Sequence, residues 1–309
     1  MRKCINKVLV EGYVYQHTLA VKTVKNEASE NFGKEFINGQ IDIVVDDEGL
    51  NIVPVRYTYV TATTAAGAAN RTYSVLKSII DSDKTWLNCG KDALKVKCDT
   101  ALALNDFYSQ DDQLVSQPVQ EGGFISIVNE LSPLETRNKF DVDLLITNVT
   151  RVEADPEKNI TEHCKVRGAA FNFRNSILPM TFIVKNPQGM DYFEDLNASG
   201  SEPVFAKVWG KINNITTKVN KTEESAFGEA SVTTYEKKVK ELIITGISPT
   251  PYDFGEEGVL TVEEVKKAMQ DREVLLADTK KRSDEYKASK AGGTATTATP
   301  KASTTTFDF

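Results

Sequence analysis

Residues able to do covalent or metal chemistry are few in this chain, and their spacing does not assemble a site. The only histidines are His17 and His163, and the four cysteines, Cys4, Cys89, Cys98 and Cys164, show no CxxC spacing. That set does not complete a zinc pattern, and reduced structural thiols are the expected reading. His163 and Cys164 are neighbours, but neighbours in a strand face opposite ways, so they do not form a nucleophile and base. There is no GxxxxGK[ST] phosphate loop and no GxSxG elbow. "VVDDEG" at 44–49 reads as a turn between strands, and nothing points to a carboxylate pair for hydrolysis. Catalytic residues, a metal site and a cofactor are therefore not expected.

A different chemistry is carried by aromatic and basic residues that alternate. In "VFAKVWGKI", residues 204–212, an extended strand puts Val204, Ala206, Val208, Gly210 and Ile212 on one face and Phe205, Lys207, Trp209 and Lys211 on the other. The second row combines flat π surfaces with positive charge, as needed to stack bases beside a phosphate backbone. The competing reading is that the rings pack under a loop and the lysines solvate a face. The same pairing of types adds Phe171 and Phe173 with Arg167 and Arg174, Tyr13 and Tyr15 with Lys22, and Tyr57 and Tyr59 with Arg56. Tyr57 and Tyr59 share a face with Val53 and Val55, which leaves a core placement open for both. The net charge of −7 argues against coating duplex DNA through a general positive field, but a local basic strip is compatible with it.

The elements that position these residues are strands. Their vocabulary is Val, Ile, Thr, Tyr and Phe at period two, broken by turns such as "DDEG" and "NPQG". Two segments carry similar signals in the same order. The first opens "NKVLVEGYVYQHT" at Asn6 and closes "FISIVNELSP"; the second opens "NKFDVDLLITNVT" at Asn138 and closes "LIITGISP". Each has a strand interrupted by proline, an edge or bulge signal, and then an apolar alternation ending in Asn ("VKCDTALALND", "VFAKVWGKINN"). "NRTYSVLKSIID" at 70–81 is the one convincing helix inside the first segment. The expected fold class is mainly β, with two tandem OB-like Greek-key barrels at 5–135 and 137–250, a sandwich of the same strand count being the alternative. A C-terminal helix is expected over 256–290, with a capping box at Thr261 and Glu264. The last stretch, 291–309, is expected to be a flexible tail ending in Phe307, Asp308 and Phe309.

"INKVLVEGYV" at 5–14 resembles the opening strand of bacterial and bacteriophage single-stranded DNA-binding proteins, and "VWGK" at 208–211 resembles an aromatic-Gly-Lys strand of that family. The resemblance rests on Asn6, Lys7, Gly12, Trp209, Gly210 and Lys211. It implies a sequence-tolerant, non-enzymatic single-stranded DNA-binding protein of a phage or mobile element, acting in replication or recombination. It further implies that the tail residues Phe307, Asp308 and Phe309 recruit replication or recombination proteins, although the family's usual acidic run is missing. A frayed terminus is the alternative for the tail. No membrane span is visible, so a cytoplasmic protein is expected, and self-association into a homo-oligomer stays open. The rival function is a structural or virion interaction protein whose aromatic strips are subunit contacts.

Overall fold

The computed structural model describes residues 4–156, 160–223, 227, 231–254, 256 and 259–291. The first half supplies β1 (Asn6–His17), the short β2 (Ala20–Thr23), β3 (Glu35–Val44), β4 (Ile52–Thr61), α1 (Arg71–Asp81), α2 (Trp86–Cys89), β5 (Lys95–Tyr108) and β6 (Leu114–Ile127). The second supplies β7 (Asn138–Val152), β8 (His163–Phe171), β9 (Ile177–Val184), α3 (Pro187–Asp195), β10 (Val204–Glu223) and β11 (Ser231–Ile247), before α4 (Val262–Ala291).

The pairing closes two barrels within one continuous sheet. Around the first, β1 pairs with β3, β3 with β4, β4 with β6, β6 with β5, and β5 with β1. Around the second, β7 pairs with β8, β8 with β9, β9 with β11, β11 with β10, and β10 with β7. In both, the third and fifth barrel strands run parallel and every other pair is antiparallel. This is the five-stranded, partly open Greek-key barrel of the OB type. The parallel seams are short, Val55–Arg56 against Gln120–Glu121 and Ile183–Val184 against Ile243–Ile244. Pro54 and Pro179 lie outside these paired stretches of β4 and β9, where a missing N–H costs no bond across the seam.

Local chemistry explains the helices. Asn70 caps α1 by accepting from the Thr72 N–H at 3.1 Å, and Tyr73, Leu76 and Ile79 bury the inner face against the first barrel. The "NPQG" stretch, expected as a turn, instead opens α3: the Asn186 side chain accepts from the Gly189 N–H at 3.2 Å and Pro187 takes the first helical position. Short length and only two buried apolar residues, Met190 and Phe193, hide this helix from a periodicity reading. The capping box of α4 forms as expected, with the Glu264 N–H donating to Thr261 Oγ1 at 3.2 Å and the Thr261 N–H donating to Glu264 Oε2 at 3.0 Å.

The barrels join through their first strands. β1 and β7 pair antiparallel with Val8 opposite Phe140, Asn6 opposite Val142, and Val10 opposite Asn138. Asn6 donates to the carbonyls of Leu102 at 2.9 Å and Phe171 at 3.0 Å, and accepts from the Leu102 N–H at 2.8 Å. Asn138 does the same to the backbone of Ile212. An amide side chain can donate and accept at once, so each Asn substitutes for a backbone partner where the first barrel strand parts from the fourth.

A second apolar cluster lies outside the barrels. Leu145, Ala169, Phe171, Ile177 and Phe205 are covered there by Val259, Leu260, Val265 and Ala268, with Tyr252 and Phe254 at the margin. The N-terminal half of α4 is thus anchored by burial of apolar surface. Its C-terminal half lies along the β5–β6 hairpin through charge: Arg272 donates to both oxygens of Asp106 at 3.0 Å, and Lys280 and Lys287 each reach Asp112 at 2.7 Å.

Candidate nucleic-acid interface

β6, β5, β1, β7, β10 and β11 are consecutive neighbours in the sheet and present one outward face spanning both barrels. Outward residues alternate with buried ones. On β10, Lys207, Trp209 and Lys211 face out between the buried Ala206, Val208, Gly210 and Ile212. Trp209 is 38% exposed, and its indole lies on Gly246 of β11, where any side chain would run into the ring. A glycine at this position lets the ring pack against bare backbone while part of it stays open to solvent. Lys207 approaches Asp141 at 3.6 Å, whereas Lys211 has no ion pair among the described residues.

The registers reveal a matching set that sequence reasoning missed. Val8 pairs with Thr100 and Phe140 with Gly210, so Thr100 and Gly210 correspond, as do Cys98 and Val208. This shifts the apparent alignment of the two Asn-terminated stretches by two residues, and it makes Lys97 the counterpart of Lys207. Lys7 and Lys139 correspond likewise, and both are exposed on this face. Both hairpins bulge at the same place, between Cys98 and Thr100 and between Trp209 and Gly210. Gly246 therefore corresponds to Phe124, which is 75% exposed. The Trp209 ring thus fills, above Gly246, the room that the Phe124 side chain takes in the first barrel. Repeated lysines at these spacings were the available sequence signal; the bulges concealed it, because they break the period of two.

Two buried carboxylates sit under the face at corresponding positions. Glu11 accepts from the Ser132 N–H at 2.6 Å and its hydroxyl at 2.9 Å, with Lys97 at 3.3 Å. Burial alone would raise the Glu11 pKa; the Ser132 bonds and Lys97 outweigh it and hold the carboxyl below its ordinary value. Asp143 accepts from the Ile5 N–H at 2.8 Å and the Tyr252 hydroxyl at 3.0 Å. Five lysines, Lys7, Lys97, Lys139, Lys207 and Lys211, thus share the face with exposed Asp99, half-buried Asp141 and two buried acids, so the positive charge lies in local strips on a chain of net charge −7.

Other expected site residues lie elsewhere, and three require correction. Phe205 and Phe171 are each 1% exposed and meet at 6.0 Å between ring centroids, because the segment after β11 covers that end of the row. Tyr57 is buried with its ring against Gly122. None of the three can stack on a ligand in this structure. Tyr13 is half-buried against Trp86 at 5.1 Å, and Tyr15 and Lys22 are half-buried. Tyr59 is open to solvent and leans on Phe36 at 4.7 Å, while Arg56 donates to Asn105 at 3.0 Å. Arg167 is exposed on β8 opposite Thr181. Phe173 and Arg174 form an exposed pair, guanidinium to ring centroid 5.1 Å, with Phe173 lining a cavity of about 440 Å³ between the barrels and α4. Phe307, Asp308 and Phe309 lie outside the described residues. Burial pushes the Cys98 thiol up to about 12 and also raises that of Cys164. Among the described residues no helix is long and apolar enough to cross a membrane.

Among solved structures, the chain is similar to the wild-type single-stranded DNA binding protein from Thermus aquaticus, at 10% identity and a TM-score of 0.45, over 83% of this chain and 98% of that one. A deletion mutant of the same protein gives 10% identity and a TM-score of 0.46, over 82% and 98%. A Replication Protein A heterotrimer bound to ssDNA gives 9% identity and a TM-score of 0.23, over 89% and 70%. No curated protein matches the chain. The YorF family model matches residues 5–282, the whole of both barrels and most of α4, and the chain belongs to the YorF family.

Proposed function

We propose that this chain binds single-stranded DNA without sequence preference, as a non-enzymatic protein, through the sheet face that carries Trp209. The single observation behind this reading is the indole of Trp209, packed against Gly246 yet 38% exposed, in the same outward row as Lys207 and Lys211. A ring so placed accepts any base, and the lysines neutralise the phosphates on either side. OB-type barrels also lend themselves to oligonucleotide binding, a fold-level analogy that supports the reading without carrying it. A mobility-shift titration with an oligo-dT strand against a matched duplex, at two salt concentrations, tests it. The expected result is tighter binding of the single strand, weakening as salt rises.

The second reading, a structural or virion interaction protein built from duplicated β domains, is favoured by the exposed Phe124 on the same face. It predicts concentration-dependent self-association, abolished by Trp209→Glu, and no preference for single strands. The finer reading is a cytoplasmic protein of a phage or mobile element that protects single strands during replication or recombination. Phe307, Asp308 and Phe309 would dock on partner enzymes, with two rings and the Asp308 carboxylate entering a basic-rimmed apolar pocket. Deleting residues 291–309 should leave DNA binding intact while abolishing partner recovery in a pull-down; the same partners with both proteins would reject docking.

A further inference from the structure

The candidate face has an approximate two-fold axis through its centre. Pairing of β1 with β7 is symmetric about Val8 and Phe140, which are corresponding residues, so the local axis stands perpendicular to the sheet between them. The relation extends beyond backbone. It exchanges Lys7 with Lys139, Lys97 with Lys207, buried Glu11 with buried Asp143, and Phe124 with Gly246, against which the Trp209 ring packs. It reappears away from the face, in a groove of about 100 Å³ where Pro54, Pro118 and Gln120 meet their counterparts Thr181, Lys240 and Leu242. Counted at about 4.8 Å per strand along the sheet, Phe124 on β6 and the Trp209 ring over Gly246 on β11 stand about 24 Å apart.

A rotation of 180° about an axis perpendicular to a surface reverses every direction within that surface. A nucleic-acid strand is directional, so a strand running straight over the face meets the second barrel in the opposite sense from the first. We infer that the two barrels take single-stranded DNA with opposite polarity, so that a uniform strand engages both only by doubling back between the Phe124 and Trp209 plates. The inference rests on the single-strand reading above and specifies the ligand's path.

Three oligo-dT strands of equal length, about 10 to 16 nucleotides, test it by fluorescence anisotropy with the full chain. One is uniform, one inverts polarity at its centre through a 3′–3′ linkage, and one through a 5′–5′ linkage. One inverted strand should bind several-fold more tightly than the uniform one, and Phe124→Ala, which alters an exposed ring, should remove that advantage. With uniform strands of about 30 nucleotides, dyes on the two ends should approach each other on binding. Uniform short strands that bind as tightly as both inverted ones, or dyes that separate, would overturn the inference while leaving single-strand binding intact. Failure of every strand to bind would overturn the single-strand reading and this inference together.

Discussion

Trp209 and Phe205 are four residues apart on the same row of β10, yet one is open to solvent and the other is 1% exposed. Their substitutions should separate accordingly. Trp209→Ala should weaken oligo-dT binding by about 1 to 3 kcal/mol, the range for one stacked base, with little change in the unfolding midpoint. Phe205→Ala removes a ring packed on Phe171, Tyr252 and Phe254, and should cost about 3 to 5 kcal/mol in chemical denaturation. The buried acid Glu11 gives a pH test. Its pKa is depressed in the folded state, so its contribution is present above the unfolded carboxylate pKa, about 4.3, and is lost as pH falls through the lower folded value. Urea midpoints should therefore decline below about pH 4.5, and Glu11→Gln should flatten that decline, at a cost of about 1 to 3 kcal/mol at neutral pH.

Between residues and barrels, α4 is one helix held in two ways. Val265 and Ala268 bury apolar surface, whereas from Arg272 onward the helix meets the β5–β6 hairpin through ion pairs, hydrogen bonds and the Lys280–Tyr108 cation–π contact. Apolar burial is insensitive to salt and exposed ion pairs are screened by it. Hydrogen exchange at high salt should therefore speed up in 276–291 while 262–269 stays protected. Arg272 and Asp106 are both nearly buried, at 12% and 11% side-chain exposure, so Arg272→Ala leaves a carboxylate without its bidentate partner and should cost about 3 kcal/mol. Uniform exchange along the helix at both salt concentrations would contradict the two-part anchoring.

For the molecule as a whole, the chain's negative net charge and the lysine-bearing face set the salt response. With five lysines available, the slope of log K against log salt should not exceed about −3.5 in magnitude, at about −0.7 per phosphate on a single strand. Lys211→Ala should reduce that slope by about 0.7 without changing which strand sequences bind. A slope near zero would mean that stacking alone holds the strand, and a much steeper one would require cations outside this face.

The strand period, the order of signals in the two halves, the Asn-Lys openings, the capping box at Thr261 and the helix over 70–81 were legible in the sequence, because each depends on neighbours within a few residues. The alternation in 204–212 correctly separated an inward apolar row from an outward aromatic and basic one. It could not tell which outward residues stay outward. That depended on the segment from Tyr252 to Ala268 folding back over Phe205 and Phe171, a contact between parts of the chain that share no local signal. The pairing of β1 with β7, which makes one face from two barrels, is likewise a long-range choice. Because bulges at Cys98–Thr100 and Trp209–Gly210 shift the side-chain period, only the tertiary structure aligns Lys97 with Lys207 and Phe124 with Gly246, against which the Trp209 ring packs.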